Sequence, residues 1–239
     1  MSGAVQELRA IARMETDFPE KFGIPRQAGI VEELEGRIVF EPEFRNPDAL
    51  RGIEGFSHLW LIWQFSEARR ERWSPTVRPP RLGGNTRVGV FASRSPFRPN
   101  SLGLSCVRLL GVEQTETLGP VLRVGGVDLM DGTPIFDIKP YLPYADAHPE
   151  ALGGFAPDAG KKLFVDFAPG TAEAVPPKKL AALRGVLEND PRPRYQDDPA
   201  RVYGMDFAGL CVRFSVSGDT LRVLSILPPD KGGKAGREG

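Results

Sequence analysis

The chain has 239 residues, 41% of them hydrophobic, and its 31 lysines and arginines balance 31 aspartates and glutamates to a formal net charge of zero. That length holds one large domain, or a main domain with a small companion, and the composition is that of a globular chain. Neutrality excludes a global basic field, so any nucleic-acid partner has to be held by a local patch.

In chain order, Val5–Arg13, Gly36–Phe40, Phe56–Phe65, Arg87–Ala92, Leu104–Gln114, Val121–Leu129 and Ile135–Ile138 read as strands, being short β-branched or aromatic runs between Gly/Pro punctuation. Asn46–Arg51 predicts one helical turn, with Asn46 as cap and Pro47 at its first position. Such strands without interleaved amphipathic helices predict a mainly β fold, an antiparallel sheet or closed β-barrel, over residues 1–147. Bulky residues on both faces of Phe56–Phe65 make it a central strand, its aromatics read as core and His58 as a buried, hydrogen-bonded imidazole. Residues 148–161 are rich in Gly, Ala, Pro and Asp and read as a linker. A small α+β domain follows over 162–230: a strand at Lys162–Phe167, a helix at Pro176–Leu187, and a hairpin of Leu210–Val216 and Thr220–Leu227 joined at Ser217-Gly218-Asp219. Residues 231–239 read as a disordered polar tail.

No run approaches the ~20 apolar residues of a membrane span, and the charged N-terminal segment is unlike a secretory signal, so the expected compartment is the cytoplasm. His58 and His148 are the only histidines, which predicts no histidine-rich metal site. Cys106 and Cys211 lack zinc-ligand spacing and read as reduced, buried thiols.

Chemistry concentrates in three stretches. From Arg72 to Val112 the charged residues are Arg72, Arg78, Arg81, Arg87, Arg94, Arg98 and Arg108, with no Asp, Glu, Lys or His among them. Arginine on Pro/Gly-stiffened loops suits forked recognition of phosphate or carboxylate, although a solvated basic face has the same composition. At Gly125–Pro134 a strand ends in Asp128 and Asp131. These carboxylates could hold ribose hydroxyls, act as a base, or only terminate the strand. In Phe22–Gly29, Gln27 offers a donor and an acceptor on a Gly/Pro-framed loop, suited to a nucleobase edge. The chain has no Walker motif, no G-x-G-x-x-G between strand and helix, no G-x-S-x-G elbow and no RNA-recognition-motif signature.

Glu20–Gln27 (EKFGIPRQ), Arg51–Trp60 (RGIEGFSHLW), Arg78–Gly84 (RPPRLGG), Gly89–Asn100 (GVFASRSPFRPN), Asp128–Pro134 (DLMDGTP) and Ile138–Tyr141 (IKPY), in this order, resemble the TsaA/TrmO (YaeB-like) family of tRNA methyltransferases. Asp190–Tyr195 (DPRPRY) extends the resemblance into the C-terminal part.

The resemblance implies a non-Rossmann β-barrel methyltransferase that works as a homodimer on S-adenosylmethionine. The implied substrate is threonylcarbamoyladenosine beside the anticodon of threonine tRNA, methylated on its exocyclic amine nitrogen. It further implies cofactor contacts at Pro25, Arg26, Gln27, Ser66, Glu67, Arg94, Leu104, Asp128, Leu129, Met130 and Asp131. Arg81, Arg87, Arg98, Asn100, Arg192, Arg194 and Tyr195 are the expected substrate contacts. The acceptor nitrogen must lose a proton, and Asp131 is the expected base, with Asp128 holding the cofactor and no metal required. Two other readings stay open: a non-catalytic RNA-binding or cofactor-sensing barrel, and a small-molecule methyltransferase.

Overall fold

The computed structural model describes residues 7–67, 73–192 and 198–229. The N-terminal part carries β1 (Ala12–Glu15), β2 (Glu35–Phe40), β3 (His58–Gln64), β4 (Thr76–Val77), β5 (Val88–Gly89), β6 (Leu102–Thr115), β7 (Gly119–Gly125) and β8 (Pro134–Pro140). Six of these pair antiparallel in the order β1-β2-β7-β6-β3-β8, and β8 closes the ring by pairing β1 at Ala12↔Ile135 and β3 at Leu61↔Ile138. Closure leaves no free edge among the six strands. Alternate residues point inward: Met14, Ile38, Leu59, Leu61, Val107, Leu122, Val124 and Ile135 are fully buried. β4 and β5 form a separate two-stranded ribbon on the excursion between β3 and β6.

After the single turn α1 (Pro143–Asp146), β9 (Phe164–Phe167), α2 (Pro177–Glu188), β10 (Tyr203–Phe207), β11 (Leu210–Ser217) and β12 (Thr220–Leu227) build a small α+β unit. Its sheet order is β10-β11-β12-β9, with β9 parallel to β12 and the rest antiparallel. Proline at the first helical position starts α2, and Ala182, Leu183, Val186 and Leu187 form its buried stripe. The two parts share apolar and polar contacts: Phe18 meets Phe207 edge-on at 5.4 Å, Ala208 N–H donates to the Asp17 carbonyl at 2.9 Å, and Lys179 pairs with Asp17 at 2.5 Å. Among the described residues no helix is long and apolar enough to cross a membrane.

Several sequence expectations need correction. The first strand begins at Ala12 rather than Val5, because pairing partners on β2 and β8 begin there; residues 5 and 6 lie outside the described residues. Arg87–Ala92 is not one strand: only Val88 and Gly89 pair, and Val90–Ala92 tightens into a 3-10 turn that exposes Phe91. The strand expected to reach Leu129 stops at Gly125, since Gly126 adopts φ +72, outside the extended region. His58 is half-buried rather than buried, with Nδ1 at 2.9 Å from Ser57 Oγ, and Cys106 and Cys211 are likewise half-buried free thiols. β10 is absent from the sequence reading, although its run YGMDF alternates and buries Tyr203, Met205 and Phe207. The expected helical turn is present as a 3-10 turn over Pro47–Leu50, with the Asn46 side chain accepting from Asp48 N–H at 3.0 Å. Residues 231–239 lie outside the described residues.

Candidate functional site

The end of β7 meets the loop Phe22–Gly29 through two glycines. Gly29 N–H donates to the Gly126 carbonyl at 2.8 Å, and a Cβ on Gly126 would stand 3.2 Å from the Gly29 backbone. Only glycine gives this approach together with the positive φ. The same loop packs against the second sheet, where a Cβ on Gly23 would fall 2.1 Å from Met205 Sδ.

Beyond this corner stands Asp128. Ser105 Oγ donates to its Oδ1 at 2.6 Å, and Trp63 Nε1 donates to Ser105 Oγ at 2.9 Å. Both supporting residues are buried, Ser105 at 2% and Trp63 at 6% exposure. Trp63 faces Gly103 across the β3–β6 register, where any Cβ would overlap the indole at 2.3 Å. The missing side chain lets the indole lie against β6 and reach the hydroxyl two residues further on. Burial pushes the Asp128 carboxyl up to about 6, against the lowering pull of Ser105, backbone N–H groups at Asp128 and Ala28, and Arg94.

Arg94 arrives from the β3–β6 excursion and donates through Nη1 to Gln27 Oε1, while the Gln27 amide donates to the Arg26 carbonyl. Arg26 in turn reaches the Arg192 carbonyl at 3.4 Å. Pro25, Arg26, Gln27, Arg94 and Asp128 therefore gather at one corner. Ser66 and Glu67 sit on the turn after β3, with Glu67 4.0 Å from Lys21 at the base of the same loop. Leu104 points to the outer face of β6, 55% exposed, opposite in direction to Ser105. Leu129 is buried in the core and Met130 is half-buried; their carbonyls accept from Thr16 Oγ1 and from Thr133, respectively.

Asp131 differs from Asp128. It is exposed, and its Oδ1 accepts from Thr16 N–H at 3.0 Å, tying the β7–β8 connection to the end of β1. The expected substrate arginines also divide. Arg81 donates to the Asp158 carbonyl, Arg87 to Thr76 Oγ1 at 3.3 Å, and Arg98 to the Ser93 carbonyl at 2.7 Å; Asn100 is exposed. Arg192 is instead 9% exposed, with Nε and Nη2 donating to the two Asp190 oxygens at 2.9 and 3.0 Å. Arg194 and Tyr195 lie outside the described residues. A cavity of about 550 Å³ between Asp17, Ala208 and Pro176–Lys179 contains none of these residues.

Sequence reasoning missed the Trp63–Ser105 support. The available signal was a serine at an inward position of an apolar strand, two residues from a glycine, but pairing register was needed to join it to Trp63 and Asp128.

The model of the tRNA-methyltransferase O N-terminal domain matches residues 13–147, and that of the TrmO C-terminal domain matches residues 162–229. The tRNA (adenine(37)-N6)-methyltransferase of Escherichia coli K12 is 38% identical over 231 residues, covering 93% of this chain and 98% of that protein. A protein of the same name from Eikenella corrodens is 51% identical over 152 residues, covering 63% of this chain and 85% of its own. The crystal structure of TrmO from Pseudomonas aeruginosa superposes with a TM-score of 0.77 at 32% identity, covering 95% of this chain and 98% of that one. By matched family models and near-full-length relatives alike, the chain belongs to the TrmO family of tRNA methyltransferases.

Proposed function

We propose that this protein transfers a methyl group from S-adenosylmethionine to the exocyclic N6 of adenosine 37 of tRNA, in the cytoplasm, and that threonylcarbamoyladenosine in the anticodon loop of threonine tRNA is the form it takes. The observation that carries the reading is the corner where Gln27, Arg94 and Asp128 converge on a glycine-lined backbone in a chain of the TrmO family. The donor set fits the cofactor: a desolvated carboxylate can accept from ribose hydroxyls or an amine, and a guanidinium beside an amide can take a carboxylate. S-adenosylmethionine, when bound, supplies the electrophilic methyl.

The protein's residues then have two tasks, orientation and proton removal. The Pro25–Gln27 loop, Arg94 and the Asp128–Asp131 corner orient the two reactants, which by itself lowers the barrier by several kcal/mol. Of the two carboxylates, Asp128 suits proton acceptance better than Asp131, the residue expected from sequence. A group near 6 is mostly ionised at pH 7 yet more basic than an ordinary carboxylate. Asp131 spends its acceptor on Thr16 in open water.

A homodimer belongs to the same reading. The register pairs Ile62↔Leu104 and Trp60↔Cys106 set apolar residues side by side on the outer face of β3 and β6, where Leu104 stays exposed. A second copy covering this stripe would bring its own residues beside an outer-face cofactor contact at Leu104.

The test is methylation of tRNA that carries threonylcarbamoyladenosine without its N6-methyl group, read by nucleoside mass spectrometry, with calorimetry of S-adenosylmethionine binding and light scattering on the same sample. Expected are N6-methylated threonylcarbamoyladenosine, saturable cofactor binding and a dimeric mass. Cofactor binding without RNA methylation would support the sensing barrel, and a fully active monomer would remove the dimer.

A further inference from the structure

Between β3 and β6 the chain leaves the barrel, and residues 73–100 carry Arg78, Arg81, Arg87, Arg94 and Arg98 with no acidic residue. Where these arginines have side-chain hydrogen bonds, the acceptors are neutral: a carbonyl for Arg81, a hydroxyl for Arg87, an amide oxygen for Arg94 and carbonyls for Arg98. Arg94 also lies close enough to Asp128 to favour its ionised form, whereas the charges of Arg81, Arg87 and Arg98 are held in place by neutral acceptors.

On this excursion two large aromatic rings face water. Pairing of β4 with β5, and the Val90 N–H bond to the Pro75 carbonyl at 2.9 Å, fold Phe91 back beside Trp73. The rings lie 6.3 Å apart at 28°, with Trp73 52% and Phe91 73% exposed. The Arg98 guanidinium carbon is 6.0 Å from the Phe91 centroid, and its Nη1 is fixed 2.7 Å from the Ser93 carbonyl. A near-parallel aromatic pair beside a guanidinium, exposed and fixed, is a surface built for a flat partner. Exposed large aromatics in a cluster mark interaction sites rather than ordinary surface.

We infer that Trp73 and Phe91 form a stacking platform for an unpaired base of the RNA, a neighbour of the methylated adenosine, with Arg87 and Arg98 flanking it toward the adjoining phosphates. This inference rests on the tRNA reading above. A nucleobase offers a π-face to the rings, and only a polyanion answers so much uncompensated arginine; unstacked loop bases are recognised by stacking in this way. The platform borders the proposed reaction site because Arg94, three residues beyond Phe91, bonds Gln27 of the cofactor loop.

The test uses an anticodon stem-loop RNA with 2-aminopurine placed at each loop position in turn, alongside full-length tRNA in the methylation assay. Wild-type protein should quench the probe at one position next to adenosine 37. Trp73→Ala and Phe91→Ala should abolish that quench and raise the KM for tRNA roughly five- to hundredfold. Cofactor affinity, melting temperature and the slope of affinity against salt should stay unchanged, because no phosphate contact is lost. Trp73→Phe and Phe91→Tyr should restore most of the affinity. The platform is overturned if an enzyme that methylates tRNA shows no quench and an unmoved KM in both alanine variants. It is equally overturned if these variants lose RNA only by falling to monomers, which would assign the rings to a copy interface. Wild-type protein that neither binds nor methylates tRNA would defeat the tRNA reading itself, and the platform with it.

Discussion

The corner around Asp128 and the excursion that carries Trp73, Phe91 and the arginines are built on opposite plans. At the corner the Asp128 carboxyl is tied by Ser105, by backbone N–H groups and, through Ser105, by Trp63, and burial weakens its hold on charge. On the excursion, arginines are braced by neutral acceptors, and aromatic rings stand in water. A group that orients a small cofactor gains from being fixed and desolvated, because the orientation cost is met during folding. A surface that receives RNA gains from uncompensated charge and open rings, which act only when the polyanion arrives. Arg94 joins the two through Gln27.

If the corner is the preorganised half, removing its carboxylate should have the largest effect in the molecule. Asp128→Ala should lower cofactor affinity and kcat/KM on tRNA together, each by about a hundredfold, the upper range for a hydrogen bond to a charged group. Asp128→Asn should lose activity too, yet gain stability relative to wild type as pH rises. The folded carboxyl titrates near 6 against an ordinary 3.8. Between roughly pH 4 and 6 the native state thus keeps a proton the unfolded chain has shed, and wild-type stability falls across that window by about 3 kcal/mol. Thermal melts at pH 4 and pH 7 check the sign: the variant's Tm relative to wild type should be several degrees higher at pH 7 than at pH 4. A pH-independent difference would mean that Asp128 is not desolvated as described.

A smaller effect is expected from the support behind it. Trp63→Phe keeps most of the ring against Gly103 but removes the N–H that fixes Ser105. The hydroxyl then turns more freely and holds Asp128 less well, so kcat/KM should drop a few-fold, for about 1 kcal/mol. Losing a hydrogen bond that favours the ionised carboxylate should move the acid limb of the pH–rate profile upward. Ser105→Ala should move it further in the same direction. A Trp63→Phe enzyme with lower stability but an unmoved acid limb would make the indole a packing residue only.

The two regions were not equally legible in the sequence. β3, β6 and β8 could be read because each is a β-branched or aromatic run between Gly/Pro punctuation, and in the closed barrel β3 and residues 102–108 of β6 bury alternate residues. β4 was not read and β5 was read too long, as Arg87–Ala92, since the two pair through only two residues each and follow from loop geometry more than side-chain pattern. At the corner, Asp128, Gln27 and Arg94 were singled out from their local sequence and given cofactor roles by family resemblance, whereas Trp63 and Ser105 were not. Their link depends on register and on an absent side chain at Gly103, which a linear pattern does not display. The arginine density was visible in the sequence. That Arg192 is buried against Asp190 was not, because an i, i+2 bidentate pair needs the backbone at Asp190 to adopt φ +50.

Asp131 gives the smallest expected effect and the sharpest test of the comparison, since it stands three residues from Asp128 on the same connection. Its carboxylate is exposed and accepts from Thr16 N–H at 3.0 Å, while its own N–H donates to the Phe18 carbonyl at 2.8 Å. Both bonds fasten the β7–β8 connection to the segment after β1, and neither points at Gln27 or Arg94. Asp131→Ala should therefore cost the stability of one side-chain-to-backbone bond, about 1 kcal/mol, and lower the Tm by a few degrees. Asp131→Asn, which keeps an accepting oxygen for Thr16, should recover most of it. Both variants should leave the acid limb of the pH–rate profile where wild type has it and change kcat at most a few-fold. If Asp131 were the base, the Asn variant would be as inactive as the Ala variant while melting like wild type. Measuring kcat and Tm on the two variants separates these outcomes, because the structural role predicts that Asn rescues both and the catalytic role predicts that it rescues only the Tm.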